Sequence, residues 1–122
     1  MALTVDSQEK TPGTYQMTIQ GRLDAVTSPT LEAAVKTVLG KAPKVVIFDL
    51  KGVDYLSSMG VRVIFQAQKS MRLADGKLLM VNLQPMVQKV LEIVNALPES
   101  GVFKDMAEMD AYLDAVQKGT KK

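Results

Sequence analysis

The 122-residue sequence contains no cysteine and no histidine. Those absences exclude disulfides, thiolate nucleophiles, imidazole general bases and Cys/His metal centres together. Asp, Glu, Ser, Thr, Tyr and Lys are left to carry any chemistry. Tryptophan is absent and aromatics make up only 5% of residues, so the core must be aliphatic, with eight methionines as adaptable filler. An excess of one charge is missing as well. Fifteen basic and 13 acidic residues give a net charge of +2, too balanced for nucleic acid to be the main partner. The basic end Lys118–Lys122 reads as a solvated terminus, with 119–122 a flexible tail. No apolar run approaches the roughly 18–20 residues that cross a bilayer. Met1–Lys10 carries Asp6 and Glu9 and lacks the basic and apolar regions of a signal peptide, so a cytoplasmic location with no membrane insertion is expected.

Nucleotide-binding loops of the Gly-x-x-x-x-Gly-Lys-Ser/Thr and Gly-x-Gly-x-x-Gly types are also missing. Asp49 and Asp54 resemble a carboxylate pair, but nothing supplies a third ligand or a distinct acid. Neither catalysis, nor a metal, nor a cofactor is expected.

What is present suits one globular domain over residues 1–122, since 47% hydrophobic and 23% charged residues are ordinary proportions. Leu3, Val5 and Ser7 alternate with polar neighbours, Thr11-Pro12-Gly13 signals a turn, and Tyr15, Met17 and Ile19 alternate again, which predicts a hairpin. Gly21-Arg22-Leu23-Asp24 breaks that pattern. Ser28-Pro29 predicts a helix start with Ser28 as cap, and Gly40 its end. The apolar run Val45–Phe48 predicts a strand buried on both faces, with Lys51-Gly52 a turn and Val53–Leu56 returning to the core. Ser57-Ser58-Met59-Gly60 opens a second helix, which Asp75-Gly76 ends. Leu78–Val81 reads as a strand and Pro85 as the start of a third helix whose inner face holds Met86, Val87, Val90, Leu91 and Val94. Pro98–Gly101 reads as a loop, Val102-Phe103 as a short strand, and Met109, Tyr112, Leu113 and Val116 as the face of a last helix. The expected fold is α/β: a mixed sheet of four or five strands with about four helices packed on it.

The stretch Asp49-Leu50-Lys51-Gly52-Val53-Asp54-Tyr55-Leu56-Ser57-Ser58-Met59-Gly60-Val61 is the informative one. It resembles the STAS-domain anti-sigma factor antagonists, in which a strand ends in Asp/Asn-Leu and leads through a hydrophobic pair to Asp-Ser-Ser/Thr/Ala-Gly and a Leu/Val-rich helix. Gly21-Arg22-Leu23-Asp24 looks like the Gly-x-Leu-Asp loop of that family. Asn82-Leu83-Gln84-Pro85 with Val87, Val90 and Leu91 is similar to the segment after its fourth strand. Aligning Gly60 puts Ser58 on the family's phosphoacceptor. Two departures stand out: Ser57 replaces the usual Asp, which makes Ser57 an alternative acceptor, and Met59 replaces the usual small residue.

The resemblance implies a non-enzymatic partner switch. Unphosphorylated, the protein binds an anti-sigma factor that is itself a serine kinase; phosphorylation releases it, and a PP2C-type phosphatase reverses the mark. Asp24, Asp54, Tyr55, Ser57, Met59 and Gly60 become candidate contact residues around Ser58. The same fold also suits a scaffold subunit of a signalling assembly or an accessory subunit of a membrane transporter, the alternative reading. A serine pair here reads by itself as a helix cap, and the resemblance is what makes it a switch, which the physics of the place permits. A serine at a helix start can cap a free N–H, and a phosphoryl group there meets N–H donors and the positive end of the dipole. It adds about −1.5 to −2 charges. A partner carboxylate about 6 Å away, at an effective dielectric near 20, would be repelled by roughly 4–6 kcal/mol. The expectation is a hydroxyl in the contact zone, where phosphate blocks docking without unfolding the domain.

Overall fold

The computed structural model describes residues 3–96. Strands β1 (Thr4–Thr11) and β2 (Thr14–Leu23) form an antiparallel hairpin, followed by α1 (Ser28–Leu39), β3 (Val45–Leu56), α2 (Ser58–Leu73), β4 (Lys77–Val81) and α3 (Pro85–Ala96). The four-stranded sheet has the order β1-β2-β3-β4, with β2, β3 and β4 mutually parallel. This is the expected α/β class with a mixed sheet. The loop at 98–101, the candidate strand at Val102-Phe103, the last helix around Met109–Val116, the tail 119–122 and the side chain of Val94 lie outside what is described.

The hairpin turns at Pro12-Gly13, where Pro presets its own φ and Gly13 takes φ 85°, the left-handed value that a side chain resists. Two parallel crossovers of one hand, stepping in one direction across the sheet, put α1 and α2 on the same face. Met17, Ile19, Val46, Phe48 and Leu50 point to that face and meet Leu31, Ile64 and Met71, all 2% exposed or less. Each such side chain removed from water contributes about 1.5–3 kcal/mol.

Three expectations need correcting. Lys51-Gly52 is no turn: β3 runs unbroken from Val45 to Leu56. Its register against β2 slips between Asp49 and Gly52 and again between Val53 and Tyr55, so extra residues bulge out of β3 while pairing continues. Gly52 is needed at the first bulge because a Cβ there would lie 2.7 Å from Cγ of Gln20. Likewise, Gly21-Arg22-Leu23 does not end the second strand but pairs with β3 to its last residue. Finally, β3 is not equally buried on both sides. Val46, Phe48 and Leu50 are buried, whereas Val45, Ile47 and Asp49 are half-buried on the face away from α1 and α2.

Parallel strands that each feed a helix gather the helix starts at the carboxyl ends of the strands. β2 and β3 end side by side, Leu23 opposite Leu56, and the entries to α1 and α2 follow at once. The corner after β4 is tied to the same end of β3. Asn82 adopts φ 59° and its Nδ2 donates to Asp49 Oδ1 at 3.2 Å, while Gln84 Nε2 donates to the Lys51 carbonyl at 2.7 Å. The Asn82-Leu83-Gln84-Pro85 segment thus anchors α3 to β3.

Candidate regulatory and partner-binding site

Ser57 ends the extended chain of β3 and caps α2. Its backbone is extended (φ −94°, ψ 175°), and its Oγ accepts the N–H of Gly60 at 3.3 Å. The Ser57 N–H donates to the Leu23 carbonyl at 2.8 Å. Gly60 packs on that carbonyl: a Cβ would lie 2.9 Å from Leu23 O and 2.8 Å from Leu23 Cγ. The Gly-x-Leu-Asp loop and the Ser-Ser-Met-Gly segment, far apart in sequence, are therefore joined through one residue, Leu23.

On the other side of that joint stands Asp24. Its Oδ1 accepts the N–H groups of Val26 and Thr27, each at 3.0 Å. Its own N–H donates to Thr27 Oγ1 at 2.9 Å, and the Thr27 hydroxyl donates to the Arg22 carbonyl at 2.6 Å. Burial pushes the Asp24 carboxyl pKa up, but the N–H and hydroxyl of Thr27, the N–H of Val26 and the Arg22 guanidinium more than offset this and hold it below its ordinary value. The helix α1 is accordingly not capped as expected. Its cap is Thr27, Ser28 is its first residue, and Thr27 makes no side-chain capping bond. The Asp24 carboxylate instead fixes the two residues ahead of the helix, Val26 and Thr27, and the Ser28 N–H donates to the Asp24 carbonyl at 2.8 Å.

The remaining candidates flank this joint. Arg22 and Tyr55 face each other across β2 and β3, the guanidinium carbon 3.6 Å from the ring centroid. Arg22 Nε also lies 3.3 Å from Asp24 Oδ2. Asp54 is the bulged, exposed residue between Val53 and Tyr55. Met59 and Tyr55 are half-buried and Gly60 is buried. The sequence reading pictured an accessible hydroxyl at the helix mouth. Here Ser58 is 1% exposed and Ser57 7%. Through Ser57 and Gly60 the N-terminal turn of α2 is packed against Leu23, a tertiary contact invisible in the local sequence.

Three residues escaped the sequence reading. Thr27 completes the Asp24 loop, and the Asp-x-x-Thr spacing ahead of Ser-Pro was the signal that could have found it. Arg22 clasps Asp24 and Tyr55, which only the strand register reveals. Val26 projects from the loop at 85% exposure, an apolar side chain on a backbone pinned by Asp24. Among the described residues no group of acidic side chains could hold a metal ion, and no helix is long and apolar enough to cross a membrane.

Comparison with known proteins gives a consistent result. The family model of the STAS domain matches residues 7–109. BtrV of Bordetella bronchiseptica, described as an anti-sigma factor antagonist, is 34% identical over 93 residues, which cover 76% of this chain and 78% of BtrV. An anti-sigma factor antagonist from Mycobacterium paratuberculosis superposes with a TM-score of 0.70 at 18% identity, covering 93% of this chain and 95% of that one. SpoIIAA in its unphosphorylated form superposes with a TM-score of 0.63 at 19% identity, covering 74% of this chain and 83% of that one. At such identities the structural likenesses establish the fold.

Proposed function

The chain belongs to the STAS domain family, and we propose that it acts as an anti-sigma factor antagonist by partner switching. Unphosphorylated, it binds an anti-sigma factor with serine kinase activity and draws it from its client. The kinase transfers the γ-phosphoryl group of ATP to Ser58, or alternatively Ser57: the serine Oγ–P bond forms as the bond to ADP breaks, and the hydroxyl proton passes to the kinase. The phosphorylated protein leaves, and a PP2C-type phosphatase hydrolyses the ester. The chain itself turns over no substrate and works in the cytoplasm.

The observation that carries this reading is the joint at Leu23, which sets the serine pair against the Asp24–Thr27 loop on one edge of the domain. Asp24, Asp54, Tyr55, Ser57, Met59 and Gly60 are the proposed contact residues. Since Ser58 is 1% exposed, phosphoryl transfer requires the first turn of α2 to open. The kinase then acts on the open fraction, and its apparent affinity falls in proportion. Slow phosphorylation relative to binding follows directly and suits a switch that must stay engaged before it is reset.

The test combines capture and site mapping. Immobilised full-length protein should retain a serine kinase of the histidine-kinase-like ATPase fold, and incubation with that kinase and ATP should place phosphate on Ser58. Ser58→Ala should still bind and resist phosphorylation, while Ser58→Asp should bind at least tenfold more weakly. Phosphate on Ser57 alone would move the acceptor by one residue. Recovery of a transporter polypeptide or a large signalling scaffold in place of a kinase would replace this reading with the accessory-subunit alternative.

A further inference from the structure

Arg22 is a half-exposed cation held from two sides, its side chain 52% exposed. The Tyr55 ring lies beneath its guanidinium at 3.6 Å, and Asp24 takes its Nε at 3.3 Å. The chain after Tyr55 stays extended through Ser57, which puts Ser57 about 6–7 Å further along, on the same side of the strand as Tyr55. The Ser57 N–H is bonded to the carbonyl of Leu23, the residue next to Arg22. A phosphoryl group on Ser57 would therefore arise beside a preplaced guanidinium, and one on Ser58 a single residue further along the chain.

We propose that Arg22 is the counter-charge of the phosphorylated state: its guanidinium leaves Asp24 for the phosphoserine while remaining stacked on Tyr55. This rests on the phosphorylation reading above and adds to it the residue that receives the phosphate. The exchange is favoured by charge and geometry. A phosphoryl group offers up to two negative charges and three acceptor oxygens, which the flat fork of arginine meets through paired hydrogen bonds. The contact it would replace is a single, half-solvated ion pair, the weak kind. Asp24 would lose only the Arg22 contact on Oδ2 and keep the N–H bonds of Val26 and Thr27 on Oδ1. Asp54 on the neighbouring bulge and Arg62 one turn into α2 are exposed and add opposing charges, but they stay constant when Arg22 alone is changed. The consequence for a partner is a rearranged surface: the phosphate is partly neutralised and the Asp24 carboxylate is uncovered.

The experiment uses the full chain with phosphoserine genetically encoded at position 58 and, separately, at 57. Phosphorus NMR titration reads the second ionisation of the phosphate. In the otherwise native protein its pKa should fall below the ordinary value of about 6. Arg22→Ala should raise it by about half a unit or more, a shift well outside titration error. Arg22→Lys should recover part of the shift, since it restores charge without the fork. Arg22→Gln keeps most of the stem and reads the same loss if Arg22→Ala melts too early to titrate. A phosphate pKa unchanged by loss of the Arg22 charge at both positions overturns the proposal. Because the phosphoserine is encoded, this titration stays readable even if no kinase is found, and a successful kinase assay does not rescue it if it fails.

Discussion

Two helices begin side by side at the carboxyl end of the sheet, each on a buried pair of hydroxyl residues. α1 starts at Thr27-Ser28 and α2 at Ser57-Ser58, and among the described residues these are the buried polar side chains. Yet they are fastened differently. The α1 entry is fixed by a charge: the Asp24 carboxylate accepts two N–H groups at 3.0 Å and is locked through Thr27 to the Arg22 carbonyl. The α2 entry is fixed by neutral contacts: Gly60 is seated on Leu23, the Ser57 N–H donates to the Leu23 carbonyl at 2.8 Å, and the Ser57 hydroxyl accepts one N–H at 3.3 Å. Bonds to an ionised acceptor are about twice as strong as neutral ones. The comparison teaches that one helix start is locked by a charge and the other by packing and uncharged hydrogen bonds.

The hardest way to break this comparison is at Gly60. Replacing glycine by alanine inside a helix ordinarily gains about 1 kcal/mol. Here the new Cβ would meet the Leu23 carbonyl at 2.9 Å, and a paired backbone oxygen cannot yield as a side-chain tip can. Gly60→Ala should therefore lose about 1–3 kcal/mol, the usual cost of overpacking. Urea unfolding measures it, and a stabilised variant would show that fit does not hold α2.

Next in size is Asp24→Ala, which should cost about 1 kcal/mol through loss of the two N–H bonds to its carboxylate. The charge makes this loss pH-dependent. A carboxyl whose folded pKa is lowered stabilises the fold fully above its unfolded value and loses that contribution as pH falls through the folded one. The stability gap between the native protein and Asp24→Ala should thus be complete at pH 7 and shrink below the ordinary carboxylate range near 4. A gap that is flat from neutral to acid would remove charge from the account of the α1 entry. Ser57→Ala should cost less, about 0.5 kcal/mol, the lower end for a hydroxyl cap, with no change in its pH dependence. Amide exchange should sharpen the contrast: Gly60 and Val61 exchange faster in Ser57→Ala, while Val26 and Thr27 do not.

Much of this edge was legible in the sequence, and the illegible parts share a cause. Pro12-Gly13, Pro85 and the Ser57-Ser58 start of α2 carry local backbone rules, so single residues announce them. The motif order around Leu23–Asp24 and Ser57–Gly60 pointed to the family before any geometry. Lys51-Gly52 and Gly21-Arg22 misled because glycine reads locally as a break, whereas pairing between β2 and β3 carries both segments through as bulged strand. Alternation in Val45–Phe48 was hidden because every side chain there is apolar, so one face half-open to solvent looks the same as one buried. The burial of Ser58 and the clasp of Arg22 on Tyr55 depend on which residues lie opposite each other across the sheet, information that no window of sequence contains.

The smallest expected effect on stability belongs to Val26, and it separates folding from function most cleanly. A lone exposed apolar side chain is ordinary on a protein surface and by itself argues nothing. What distinguishes Val26 is its support. At 85% exposure it makes little contact with the fold, yet its own N–H is held by Asp24 at 3.0 Å, so the side chain is presented at a fixed place on the edge where the two helix starts meet. An apolar group that is already ordered loses little entropy on docking, which is how preorganised contacts gain affinity. Val26→Ser should leave the urea midpoint within about 0.5 kcal/mol of the native value, as surface changes do. It should also weaken capture of the anti-sigma factor by about tenfold, equivalent to about 1.4 kcal/mol, with Asp24→Ala weakening it further because the whole loop is then released. Equal affinity for native protein and Val26→Ser, measured by calorimetry, would put the contact zone on the α2 side alone and leave the α1 entry a purely structural lock.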